Sequence, residues 1–147
     1  MSMQWVLVAD KSCARIFQTA GRLDELTEVD DLLNPQGRMD DADLRHDAKG
    51  RFYGKGEREQ AHTAEPHISQ EEHAADLFSR DVMRYLDRAI NDDRFDSLVM
   101  IAPPEFLGML RRRISKTVES KVRQQLPSDL AHLQTPQIRD YLKRHLQ

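Results

Sequence analysis

Three histidines, His62, His67 and His73, stand among Glu65, Glu71 and Glu72, and together they offer the nitrogen and oxygen donors that zinc or a similar ion takes. Their spacing matches no metal motif. His62 and His67 fall in a stretch that reads as loop and His73 in the first turn of a helix, so a shared centre requires the loop to fold back. Solvated histidines are the preferred account, with His46 and Asp47 as the next donors if a metal binds. A second constellation is cationic: Arg38, Arg45, Lys49, Arg51, Lys55 and Arg58 surround Phe52 and Tyr53, a mixture suited to phosphate contacts and base stacking. Asp40, Asp41, Asp43, Asp47, Glu57, Glu59 and Glu65 are interleaved with them and cancel almost all of that charge, which favours a solvated polyampholyte. The strongest basic run is Arg111-Arg112-Arg113, extended by Lys116, Lys121 and Arg123. It sits at the end of an amphipathic helix, where cations are favoured even without a ligand. These two cationic groups are the candidate contacts to nucleic acid or to a partner.

Two carboxylates complete the set. Asp10 ends one apolar run and Glu105 follows another, and in an open α/β sheet both would lie at the carboxyl edge where ligands gather. Asp96 opens its strand, so it belongs at the opposite edge, about six residues of roughly 3.3 Å each away. Two carboxylates fall short of a two-metal nuclease centre. No nucleotide-binding glycine loop, nucleophile elbow or His-Glu-x-x-His segment occurs. No catalytic residue is assigned and no cofactor is expected.

The elements that must position these groups follow from apolar patterning. Gln4 to Ala9 reads as a strand covered on both faces, Asp10-Lys11-Ser12 as a turn, and Ala14 to Thr19 as the return strand of a hairpin. Gly21 makes the next turn, and Leu23 to Leu33, with five acids, is expected as one acidic edge strand. Ser69-Gln70-Glu71-Glu72 has the form of a capping box. Behind it Ala74, Leu77, Phe78, Val82, Tyr85, Leu86, Ala89 and Ile90 give a helical stripe that ends at Asn91-Asp92-Asp93. Ser97 to Ala102 is a second buried strand, and Pro103-Pro104 opens a helix with Phe106, Leu107, Leu110 and Ile114 on its inner face. Ser115 to Lys121 prolongs that helix or starts another, Val122 to Leu126 is a short last strand, and Thr135-Pro136 caps a terminal helix carrying Ile138, Tyr141, Leu142 and Leu146. The expected fold is a single α/β domain over 1–147, a mixed sheet of about five strands with flanking helices, antiparallel at the hairpin side and parallel where helices cross over.

Residues 34–69 interrupt this plan. Over about 36 positions the sizeable apolar side chains are Met39, Leu44, Phe52, Tyr53 and Ile68, too few to offset the ordering entropy of so long a segment. A polar insertion or flexible loop of that length in a small domain is commonly functional. The rest of the composition is that of a soluble protein: 39% hydrophobic and 32% charged residues with a net charge of -3. No global charge draws the chain to nucleic acid or anionic lipid. The start has no basic leader, no run of 18 apolar residues occurs, and the single cysteine, Cys13, has no disulfide partner. A cytoplasmic location with no membrane partner is expected, with Cys13 buried or at a turn edge.

Three stretches carry a family resemblance: Trp5-Val6-Leu7-Val8-Ala9-Asp10 with Ala14-Arg15-Ile16-Phe17; Ala102-Pro103-Pro104-Glu105-Phe106-Leu107-Gly108-Met109-Leu110-Arg111; and Asp129-Leu130-Ala131-His132-Leu133. In order and spacing they resemble the bacterial host attachment proteins. That family is in turn similar to the middle domain of eukaryotic and archaeal peptide-chain release factors and of Pelota, which implies a ribonuclease-H-like or ribosomal-protein-like topology and a ribosome or RNA connection. The release factors hydrolyse peptidyl-tRNA with a Gly-Gly-Gln loop ahead of the long helix. Here the matching place holds Gly54-Lys55-Gly56-Glu57-Arg58-Glu59-Gln60. Without two adjacent glycines the backbone cannot fit a crowded RNA site and present one amide, so the resemblance implies a non-catalytic RNA- or ribosome-associated module. The alternative is a protein-interaction or assembly factor, with a protein partner or a second copy, that influences attachment indirectly.

Overall fold

A computed structural model describes residues 2–35 and 69–146. Its elements run β1 (Gln4–Ala9), β2 (Cys13–Thr19), a 3-10 turn (Leu23–Glu25), β3 (Thr27–Leu33), α1 (Gln70–Asn91), β4 (Ser97–Ile101), α2 (Pro104–Arg113), α3 (Lys116–Glu119), β5 (Val122–Leu126) and α4 (Thr135–His145). The strands form one mixed sheet in the order β3-β2-β1-β4-β5. β2 is antiparallel to both its neighbours, whereas β1 pairs with β4, and β4 with β5, in parallel. This is the mixed five-strand α/β architecture that the alternation of elements predicts.

The sheet is covered on both faces, and the central strands show why. On β1, Trp5, Leu7 and Ala9 join the core beneath α1 and α2, while Val6 and Val8 join the core beneath α4; β4 divides in the same way, Leu98 and Met100 to one side, Val99 and Ile101 to the other. All of these are essentially buried. Each large aliphatic side chain so removed from water contributes about 1.5–3 kcal/mol, so a continuous apolar run is needed here, and an alternating one would leave half the strand wrong.

α1 begins as the sequence predicts. Ser69 Oγ accepts from the Glu72 amide at 3.0 Å, and the Glu72 carboxylate accepts from the Ser69 amide at 3.3 Å. Its buried stripe is Ala75, Phe78, Ser79, Val82, Met83, Leu86 and Ala89, rotated slightly from the predicted one, so Ala74 and Leu77 are only half-buried. Ser79 fits among apolar neighbours because its hydroxyl donates to the Asp76 carbonyl.

Several boundaries differ from expectation. Leu23 to Leu33 is not one strand: a 3-10 turn takes Leu23–Glu25 and buries Leu26 beneath α4, and the edge strand begins at Thr27. Gly21, at φ +130°, allows the turn that makes this possible. α2 ends at Arg113; Ile114 turns to extended backbone yet still packs on the core, and Ser115 caps a separate short helix by accepting from Val118. Gln134, not Thr135, caps α4: its amide donates to Gln137 Oε1 and its backbone carbonyl accepts from the Gln137 amide, both at 2.9 Å. Asn34 belongs to the body and not to the insertion: it is buried, its amide donates to the Ser12 carbonyl, and its side chain donates to that of Lys11.

Arg15 ties the far side of the sheet together. Its Nη1 donates to the carbonyls of Ala131 and Leu133, while Nε and Nη2 grip the Glu28 carboxylate at 3.0 and 2.9 Å. With the side chain only 16% exposed, its removal leaves carbonyls and a carboxylate without donors. Charge-assisted bonds of this kind are worth roughly 1.5–3 kcal/mol. Arg15→Met is therefore expected to lower the unfolding free energy by about 2–3 kcal/mol, seen as a lower urea midpoint with an unchanged slope. A loss below about 0.5 kcal/mol would show that the clamp is idle.

Candidate functional site

β3 and β4 run in the same direction, so α1 must return between them with its N-terminus at the carboxyl edge of the sheet; α2 starts at that edge because it follows β4 directly. After β1 the chain turns one way, into β2, and after β4 it turns the other, toward β5. A crevice opens at such a point of divergence. It is occupied here by a cleft of about 290 Å³. Ala75, Phe106 and Met109 supply its apolar lining, and Asp10, Glu71, Glu72, Glu105 and Asp129 supply carboxylates.

Asp10 and Glu105 thus come together as the sequence predicts, and Asp96 lies at the opposite edge, where it accepts from the Met3 amide at 2.7 Å. Among the described residues no group of three histidine, cysteine or acidic side chains is placed to hold an ion. Much of the cleft's charge has structural work to do. Asp10 Oδ1 accepts from the amides of Ser12 and Cys13 at 2.8 and 2.9 Å and so shapes the hairpin turn. Glu71 pairs with Lys11 at 3.0 Å, and Glu72 completes the helix cap. Glu71, Glu72 and Glu105 stand in the first turns of their helices, where each carboxylate is stabilised by the macrodipole by about 0.3–1 kcal/mol. Glu71, Glu72 and Asp129 were not assigned to this edge from sequence; the usable signal was the β3-to-β4 crossover, which forces the capping-box end of α1 to this edge.

Cys13 sits just beyond the turn and is partly buried, as expected. Burial and the adjacent Asp10 carboxylate push its thiol up to about 11, the reverse of what a nucleophilic cysteine needs. At pH 8 the thiolate fraction is about a hundredfold below that of an ordinary thiol, and the higher basicity recovers only part of this. Native Cys13 is expected to react with iodoacetamide about tenfold more slowly than the urea-unfolded chain, read by mass spectrometry; equal rates would contradict the assigned environment.

The basic run divides. The Arg113 guanidinium bonds the Asp76 carboxylate of α1 at 2.7 Å, and Arg111 donates through Nε to Gln125 of β5. Arg112, Lys116 and Arg123 are exposed, Lys121 partly so, and none of the four forms a salt bridge among the described residues. Arg123 projects because β5 slips register against β4 between Leu98 and Val99, which pair with Val122 and Gln124. The skipped Arg123 is the bulge residue, and a charged bulge also blunts this sheet edge. His73 is exposed in the first turn of α1. Arg45, Lys49, Arg51, Phe52, Tyr53, Lys55 and Arg58 lie outside the described residues, as do His46, Asp47, His62 and His67.

Arg113 holds the Asp76 carboxyl below its usual range through their hydrogen bond. A carboxylate depressed in the folded state contributes stability above its unfolded pKa and loses it as pH falls through the folded one. Both side chains are about a third exposed, 34% and 32%, so the pair is worth at most about 1 kcal/mol, less than burial of Phe106 alone. The difference between this protein and Asp76→Asn is expected to be full above about pH 4 and to fade as pH falls further, through the lowered folded-state pKa; urea midpoints across pH check this, and a difference that stays constant to the acid end would refute it.

The fold and its cleft define a three-layer α/β domain with an acidic crevice at the carboxyl edge of a mixed sheet. The profile of the family described as "Protein required for attachment to host cells" matches residues 5–142, and the chain belongs to that family. Comparison with curated proteins gives no significant match. The stretches that carry the resemblance meet at one edge of the molecule: Asp10, Pro103, Glu105, Phe106 and Asp129 all line the cleft, and Arg15 binds the loop that contains Asp129. Among the described residues no helix is long and apolar enough to cross a membrane.

Proposed function

We propose that this chain is a non-catalytic RNA- or ribosome-associated module of the host attachment family, and that its described contact surface is the basic edge formed by the end of α2, α3 and β5. The observation that carries this reading is a separation of charge. Residues 111–123 hold six basic side chains against one acid, Glu119, in a chain whose net charge is -3, while the carboxylates of the cleft collect at the other end of α2. Phosphates are drawn to the first surface and repelled from the second. The cleft therefore faces away from bound RNA, which accords with the missing Gly-Gly-Gln triplet and with recognition in place of cleavage. The strand order, with β2 alone reversed, supports the ribonuclease-H-like kinship with the release-factor middle domain. In this reading attachment is influenced indirectly, through translation.

A second reading, a protein-interaction or assembly factor, is favoured by one feature: the cleft's apolar lining and carboxylates suit a lysine or arginine side chain from a partner. Recovery from a native lysate separates the two. The full chain is expected to co-sediment with ribosomes at low salt, to be released steeply as salt rises, and to lose this association when Arg112→Glu and Lys116→Glu are combined. Absence of co-sedimentation even at low salt would sink the first reading. A protein partner retained after nuclease treatment would favour the second.

A further inference from the structure

The basic edge differs from a single-strand binding surface in one respect. Proteins that hold single strands pair their cations with exposed aromatic rings on which bases stack. Among the described residues every tryptophan and phenylalanine is buried. The described tyrosines are half-buried and engaged: Tyr85 stacks on Trp5 and bonds Asp30, and Tyr141 stacks on His145 and bonds Ser128. The basic edge also presents no exposed large hydrophobic side chain among the described residues; the one such residue described, Leu33, lies at the end of the opposite edge strand. Cations without aromatic rings or apolar anchors neutralise phosphates, but they lack the successive stacking platforms of single-strand binders and the apolar wedge that inserts into a bilayer.

Resting on the RNA reading above, we propose that the β5 edge binds duplex RNA, contacting backbone phosphates through Arg112, Lys116, Lys121 and Arg123 without reading bases. Duplex RNA hides its bases and is recognised largely by shape and backbone contacts. It is therefore the form that fits a cationic surface whose described residues expose no aromatic ring. With four phosphate contacts the logarithm of affinity should fall against the logarithm of salt with a slope of about -3 to -4.

The test is fluorescence anisotropy of the full chain with a labelled RNA duplex of about 20 base pairs, an unstructured single strand of equal length, and vesicles of mixed neutral and anionic phospholipid. Duplex is expected to bind about tenfold tighter than single strand at about 100 mM salt, with little dependence on its sequence. Lys116→Ala with Arg123→Ala, both at exposed positions and checked for an unchanged circular dichroism spectrum, should weaken duplex binding about tenfold and reduce the slope by about two. Equal or tighter binding of the single strand overturns the duplex assignment and leaves the RNA reading standing. Unchanged affinity in the alanine variant overturns the assignment of the β5 edge. Ribosome co-sedimentation without affinity for either free RNA also overturns it, whereas binding to vesicles alone would overturn both readings.

Discussion

β1 is hydrogen-bonded on both sides, to β2 and β4, and its side chains are buried on both faces, so it can exist only where helices cover the sheet above and below. That constraint propagates. Parallel pairing of β4 with β1 and of β5 with β4 requires a crossover before each new strand, and the crossovers become α1, α2 and α3 on one face, leaving α4 to close the other. The N-termini of α1 and α2 then have one place to go, the carboxyl edge, where they meet the turn that follows β1. The cleft arises from this requirement; no residue in it needs to be chosen for chemistry to bring it into being.

The carboxylates around the cleft illustrate how structural and functional demands share residues. Glu71, Glu72 and Glu105 favour the helix ends on which they stand, and Asp10 holds a turn by accepting two amides. Each has a sufficient structural reason, and together they still produce an acidic crevice that disfavours phosphate. The same applies in reverse at the end of α2, where the macrodipole favours arginines. Of the three in sequence, Arg113 is engaged with Asp76 and Arg111 with Gln125, so the exposed one without a salt bridge or such a bond among the described residues is Arg112, followed in the chain by Lys116, Lys121 and the bulged Arg123.

Arg15 supplies the principal polar link between the sheet and the loop before α4. Its guanidinium uses one nitrogen for two backbone carbonyls and the others for a bidentate carboxylate, a geometry that a lysine could not reproduce. It joins two stretches far apart in sequence, residues 14–17 and 129–133, both of which carry the resemblance to the host attachment family.

Elements whose identity depends on near neighbours were legible in the residues alone: the capping box at Ser69, the turn at Asp10, the proline-led start of α2, and the two apolar runs that could only be central strands. Their signals are local, because a cap or a two-face strand is set by contacts within a few positions. Asp10 and Glu105 were also brought to one edge by counting strand directions. The remaining features depended on partners distant in sequence. Which face of α1 is buried, the break of the acidic segment into a 3-10 turn and a strand, and the projection of Arg123 are decided by register against other strands and helices. The pairing of Arg113 with Asp76 and the grip of Arg15 on the Ala131 loop have the same origin. A single sequence carries charge and periodicity, but the distance between two charges is a property of the packed sheet, and that distance separates a paired arginine from one available to a ligand.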